Sequence, residues 1–122
     1  MNQPFTTRTV EPDVTVFEIS GRLTLGNRLI DMEDRMRKLV AQGTRKLVLD
    51  LASLEYVDSA GVGTLMMTAG LVREAGGQMV IARAQTRVAE VFRIVHLERA
   101  VPMFQDVDAA CKSFGAAAAG QA

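Results

Sequence analysis

The segment Lys46–Leu51, KLVLDL, constrains the fold of the chain more than any other. It is a short apolar run rich in strand formers, long enough for a buried central strand and too short for a helix. A strand that is apolar on both faces needs cover on both. Its neighbours can supply it. After Gly26 and Asn27, residues Leu29, Met32, Met36, Leu39 and Val40 recur at the spacing of one helical face. Three acid-before-base i,i+4 pairs (Asp31 with Arg35, Glu33 with Arg37, Asp34 with Lys38) support this first helix, which ends near Gly43. Downstream, Val62, Leu65, Met66, Ala69 and Val72 make the apolar face of a second helix that begins at Ser59. It stops at Gly76-Gly77, where positive φ is cheap.

The alternation extends in both directions. Gln78–Ala82 reads as the next strand, Val88, Val91, Phe92 and Val95 as a third helical face, and Val101–Phe104 as an edge strand that tolerates Pro102. Val107, Ala110, Cys111 and Phe114 mark a fourth helix. At the other end, Phe5–Val10 and Val14–Ser20 flank Glu11, Pro12 and Asp13 as a hairpin, Gly21 breaks its second arm, and Leu54–Val57 reads as a link. This order predicts an α/β fold: one domain with a mixed, mainly parallel β-sheet of roughly four to five strands and about four helices. Residues 1–114 form the domain, and GAAAAGQA (115–122) is set apart as a low-complexity C-terminal tail, either a frayed helix end or disordered.

Composition excludes several functions. A chain of 122 residues that is 48% hydrophobic and 23% charged folds around one core. Its 14 basic and 14 acidic residues cancel, so no overall field draws it to nucleic acid or to an anionic membrane. The N-terminus MNQPFTTRTV lacks a signal-peptide pattern, and no stretch is apolar for the length a membrane crossing needs. Cys111 is the only cysteine, which rules out an intramolecular disulfide and suits a reducing compartment; the expected location is cytoplasmic.

Catalytic and cofactor chemistry finds little support. His96 is the only histidine, and no motif joins it to Ser59 or Cys111 as a nucleophilic site. One Cys and one His do not make a zinc site. SAGVGTLM lacks the Lys-Ser/Thr ending of a P-loop, and Met66 stands where a dinucleotide fingerprint needs Gly or Ala. No cofactor, metal or enzymatic activity is expected. Met32, Met36, Met66 and Met79 occupy core-period positions, and Cys111 lies on the apolar stripe of the last helix.

One segment is left over, LEYVDSAGVGTLMM from Leu54 to Met67. Asp58-Ser59 directly precedes the apolar repeat of the second helix, so Ser59 sits where an N-cap belongs. Ala60, Gly61 and Gly63 are small despite the helix-propensity cost of glycine, and small residues leave the backbone open to another protein.

Asp58-Ser59-Ala60-Gly61-Val62-Gly63, following KLVLDL and the Leu54–Val57 link, resembles the signature of STAS domains, and most closely that of bacterial anti-sigma factor antagonists. The hairpin, Gly21-Arg22-Leu23, Gly76-Gly77 and VFRIVHLERAVPMF match that layout in order, so the resemblance spans nearly all of residues 5–114. It implies a phosphorylation switch. Ser59 would be the residue phosphorylated by a partner that is both serine kinase and anti-sigma factor; the unphosphorylated form would bind that partner and release the sigma factor, and a PP2C-type phosphatase would reset it. The implied partner surface comprises Arg22, Thr24, Asp58, Ser59, Ala60, Gly61, Val62 and Gly63. A phosphate adds about 1.5 to 2 negative charges, which a helix N-terminus tolerates, so the fold should survive modification while the partner is repelled, Asp58 adding to the charge. Two positions depart from the family pattern: Arg22 and Thr24 stand where relatives often carry an acidic pair, and His96 where a glycine that supports a left-handed turn is common. The alternative is a STAS accessory subunit of a phospholipid-transport ABC complex or of a multiprotein stress-sensing assembly, which would use the same fold without necessarily using the serine.

Overall fold

The computed structural model describes residues 5–121, with side chains over 5–114. Strands β1 (Phe5–Val10) and β2 (Val14–Ile19) form the expected hairpin around Glu11-Pro12-Asp13. Helix α1 (Asn27–Ala41) leads to β4 (Lys46–Asp50), and α2 (Ser59–Glu74) leads to β6 (Gln78–Ala82); between them lie two short strands, β3 (Gly21–Leu23) and β5 (Leu54–Val57). The chain ends with α3 (Thr86–Ile94), a 3-10 turn at Leu97–Arg99, β7 (Met103–Phe104) and α4 (Val107–Gln121). Thus the backbone of the GAAAAGQA stretch continues α4 as far as Gln121, and Ala122 lies outside the described residues.

The main sheet runs in the order β1-β2-β4-β6-β7, with β1 antiparallel to β2 and every other pair parallel. The register aligns Val16 with Val48 and Val48 with Val80, and likewise Phe17 with Leu49 and Leu49 with Ile81. Because side chains alternate along a strand, each row faces one side. Phe17, Ile19, Leu47, Leu49, Met79 and Ile81 face the layer of α1, α2 and α3 and form the larger core with Met32, Met36, Leu65, Val72 and Phe92. Val14, Val16, Val48, Val80 and Ala82 face α4 through Ala110 and Phe114, with half-buried Cys111 against them. Covered on both faces, KLVLD carries the continuous apolar pattern of a central strand. Among the described residues the sheet has two unpaired sides. One belongs to β1, whose Thr6, Thr7, Arg8 and Thr9 are exposed, and the other to the two-residue β7.

The structure corrects four details of the sequence reading. Gly21 breaks the second arm as expected, but Leu54–Val57 is more than a link: at φ 79 Gly21 turns the chain out of the main sheet, and β3 then pairs in parallel with β5. Val95 lies beyond the end of α3 and is exposed. Met66 is 49% exposed, because the buried stripe of α2 is centred on Leu65 and Val72 and Met66 falls to its side. The edge strand shrinks to Met103–Phe104, since Val101 is taken into the core by an N–H bond of 2.9 Å to the Leu97 carbonyl. His96 does adopt the left-handed conformation expected at its position, with φ 60 and ψ 32.

Candidate functional site

Asp58 and Ser59 lie at the junction of β5 and α2, where the chain leaves the small sheet for a helix. Asp58, not Ser59, is the N-cap: its extended backbone (φ −101, ψ −177) precedes the first helical turn, and its Oδ1 accepts the Gly61 N–H at 2.8 Å. The other carboxylate oxygen accepts the Leu25 N–H at 3.0 Å, and the Asp58 N–H donates to the Leu23 carbonyl at 3.2 Å. One residue therefore caps the helix and ties it to the loop after β3. These backbone donors, Leu25 foremost and then Gly61, hold the Asp58 carboxyl below the usual carboxylate range.

Capping by Asp58 changes the standing of Ser59. As the first helical residue it is exposed, and no described residue bonds its hydroxyl. The oxygen is thus available to a reagent or a partner.

The other motif residues separate by direction. Gly61 is buried: an added Cβ would lie 2.3 Å from the Leu23 carbonyl oxygen and 2.7 Å from Val57 Cγ2. Its smallness lets α2 press against β3. Val62 is 5% exposed within the core, and half-buried Ala60 packs against the same core. Gly63 faces outward with nothing within 4 Å of a built Cβ. Of the tight run 60–63, only Gly63 presents an open backbone.

Arg22 and Thr24 lie on the neighbouring β3 and the loop that follows it. The exposed Arg22 guanidinium stacks 4.5 Å from the centroid of the Tyr56 ring on β5, a cation–π contact the sequence did not signal. Thr24 is half-buried beside Leu25. The loop is secured from beneath by Arg28, which donates to the carbonyls of Ser20 and Arg22 and lies 5.0 Å from the Phe5 ring centroid. The structure thus gathers Arg22, Thr24, Asp58, Ser59 and Gly63 at one end of the domain, where β3, β5 and α2 meet, with Leu25 joined to them through Asp58.

The parallel strands have a second polar cluster at their C-terminal ends. Asp50, 2% exposed, accepts from Arg83 Nε at 3.0 Å and from the Ala52 N–H at 3.2 Å; Gln85 Nε2 donates to the Ala52 carbonyl. Arg83 sits at φ 61, left-handed for a non-glycine residue. The cluster ties the loop before β5 to the loop before α3. Among the described residues, no His/Cys/Asp/Glu group could hold a metal ion, and no helix is long and apolar enough to cross a membrane.

The profile of the STAS domain family matches residues 6–110. BtrV of Bordetella bronchiseptica, assigned as an anti-sigma factor antagonist, is 31% identical over 83 residues, covering 68% of this chain and 72% of that protein. A Thermotoga maritima crystal structure assigned to the same class superposes with a TM-score of 0.82 at 19% identity, covering 89% of this chain and 92% of that one. SpoIIAA, an anti-sigma factor antagonist and Bacillus cell fate determinant, matches at 17% identity in both its forms. The TM-score is 0.69 unphosphorylated, over 91% of this chain and 98% of that one. It is 0.70 phosphorylated, over 90% and 98%.

Proposed function

The chain belongs to the STAS domain family, and from that membership we propose that it is an anti-sigma factor antagonist, a protein-binding module without catalysis of its own that works in the cytoplasm. Unphosphorylated at Ser59, it binds an anti-sigma factor that is also a serine kinase, and the sigma factor is released. Phosphorylation of Ser59 ends that binding, and a PP2C-type phosphatase restores it. The observation that carries the reading is the division of labour at the start of α2: Asp58 caps the helix and leaves the Ser59 hydroxyl exposed and unbonded by any described residue. A serine spent on capping would have to break its bond before reacting; this one does not. Arg22, Thr24, Asp58 and Gly63 form the surface around it. Ala60, Gly61 and Val62 serve the same site from inside by seating the helix against β3.

Phosphate placed here joins a helix start whose Gly61 N–H is already taken by Asp58. It extends into solvent from the first turn, so the fold is kept and the surface alone changes. SpoIIAA supports this, since its two forms match the chain equally well. The test is the intact mass of the protein purified from its own host, wild type against Ser59→Ala, together with capture of its binding partner. A phosphate-sized increment confined to wild type, and an ATP-binding protein retained by the dephosphorylated chain alone, is the expected outcome. Absence of the increment in every growth phase, or equal retention by both forms, would refute the switch.

A further inference from the structure

The outward side of α2 is free of charge. No ionisable residue occurs between Asp58 and Arg73, yet the core takes only one side of the helix, through Gly61, Val62, Leu65, Thr68, Ala69 and Val72. On the opposite side, at helical spacing from Ser59, stand Gly63, Met66, Met67 and Gly70, with Met66 49% and Met67 37% exposed. A Cβ at Gly63 or Gly70 would meet nothing within 4 Å. Packing inside the fold therefore requires neither glycine, although each weakens an exposed helix relative to alanine. Two further apolar side chains are exposed on adjoining segments. Leu25, 81% exposed, is held at the helix start by its N–H bond to Asp58, and Ile30, 68% exposed, lies on α1, which packs against α2. Six charges of α1 are paired with one another, Asp31 with Arg35, Glu33 with Arg37 and Asp34 with Lys38, and offer a partner little net field, while half-buried Arg28 is turned onto the Ser20 and Arg22 carbonyls.

We propose that the anti-sigma partner meets Ser59 with an apolar surface that lies along this face of α2, anchored on Leu25, Ile30, Met66 and Met67, and that phosphate breaks the complex by bringing a dianion into an apolar contact. The proposal rests on the reading of Ser59 above and adds the partner's chemistry and the physical cause of release. Two observations select this occupant. Ser59 is the first residue of the charge-free face, so a protein that covers its hydroxyl also covers the turns beside it. The face has no charge to match, so its complement is apolar; the adaptable methionines supply contact area, and the two glycines let a backbone approach. An unmodified serine is a small cost in such a contact. A phosphoserine there has lost its water, and the partner's apolar surface brings it no counterion.

The experiment measures the affinity of the kinase and anti-sigma protein captured above, purified, for wild type, Met66→Lys, Ile30→Lys and phosphorylated wild type, with thermal melting of each chain as the folding control. Met66→Lys and Ile30→Lys are expected to weaken binding by about tenfold or more while melting like wild type. Wild-type affinity is expected to change less than about threefold between low and high salt, because few charges cross the contact. If both lysine variants bind like wild type while phosphorylation still blocks, or if wild-type binding falls about tenfold in high salt, this inference is overturned and the Ser59 reading stands. Should neither form retain the partner, both fall. A wild-type homodimer that Met66→Lys dissolves would assign the face to a second copy of the chain and overturn the inference.

Discussion

Replacing Gly61 and Gly63 separately by alanine should move stability in opposite directions, although the two are only two residues apart in the same helix. At Gly61 the new methyl would lie 2.3 Å from the Leu23 carbonyl oxygen and 2.7 Å from Val57 Cγ2. Ordinary contact needs about 1 Å more. Neither neighbour yields easily: the Leu23 oxygen accepts the Asp58 N–H, and Leu23 and Val57 are partners in the β3–β5 pairing. Overpacking of this kind costs about 1–3 kcal/mol, and the better helix propensity of alanine returns up to about 1 kcal/mol. The net loss is about 1–2 kcal/mol, a fall in Tm of roughly 3–10 °C for a domain of this length. At Gly63 nothing stands within 4 Å, so the propensity gain is uncompensated and Tm should rise by roughly 2–5 °C. Thermal unfolding followed by circular dichroism at 222 nm reads both. If Gly61→Ala melts at or above wild type, the close approach of α2 to β3 does not fix that glycine, and the reasoning fails.

Two further predictions concern the polar groups. Asp58 has a depressed pKa in the folded chain, so its contribution is present above the unfolded carboxylate pKa and is lost as pH falls through the folded one. Asp58→Asn keeps a capping side chain without the charge; the wild-type advantage in Tm should therefore hold near neutral pH and shrink as acid carries the carboxyl down through its lowered folded pKa, and a gap that stays constant into acid would count against the ionic cap. At the second cluster the two halves of the Asp50–Arg83 pair should be unequal. Arg83→Ala strands a carboxylate whose side chain is 1% exposed, at a cost of about 3 kcal/mol, whereas Asp50→Asn leaves an arginine that is 46% exposed and costs about 1 kcal/mol. Urea midpoints that rank them the other way would contradict this account.

Much of the architecture was legible because it is periodic. The α1 face, its three ion pairs and the KLVLD strand need only local spacing, and all are observed. What escaped depends on contacts between distant residues. β3 and β5 are too short to show alternation, and their pairing depends on Gly21 leaving the main sheet. Asp58 and Ser59 are both good caps and are adjacent in sequence, so spacing cannot choose between them; the Leu25 N–H, 33 residues away, favours the aspartate. Gly61 and Gly63 look alike until β3 is placed against one and solvent against the other. For Met66, one step around the helix decides exposure, which is finer than an apolar pattern resolves. The left-handed Arg83 left no sequence signal, since arginine is not a residue that marks such turns.

The two unpaired sides of the sheet bear on how much of this protein a cell can hold. An antagonist of the kind proposed above would occupy its target, so it would act through mass action and would have to be kept at concentrations comparable with that target's. Crowding of that kind exposes any protein to strand-on-strand polymerisation through its open edges. Here β7 offers a backbone of only two residues, and β1 shows threonines and an arginine along its exposed stretch where an aggregating strand would be uninterrupted in apolar residues. Among the described residues, neither side provides the long apolar template that strand-on-strand polymerisation needs.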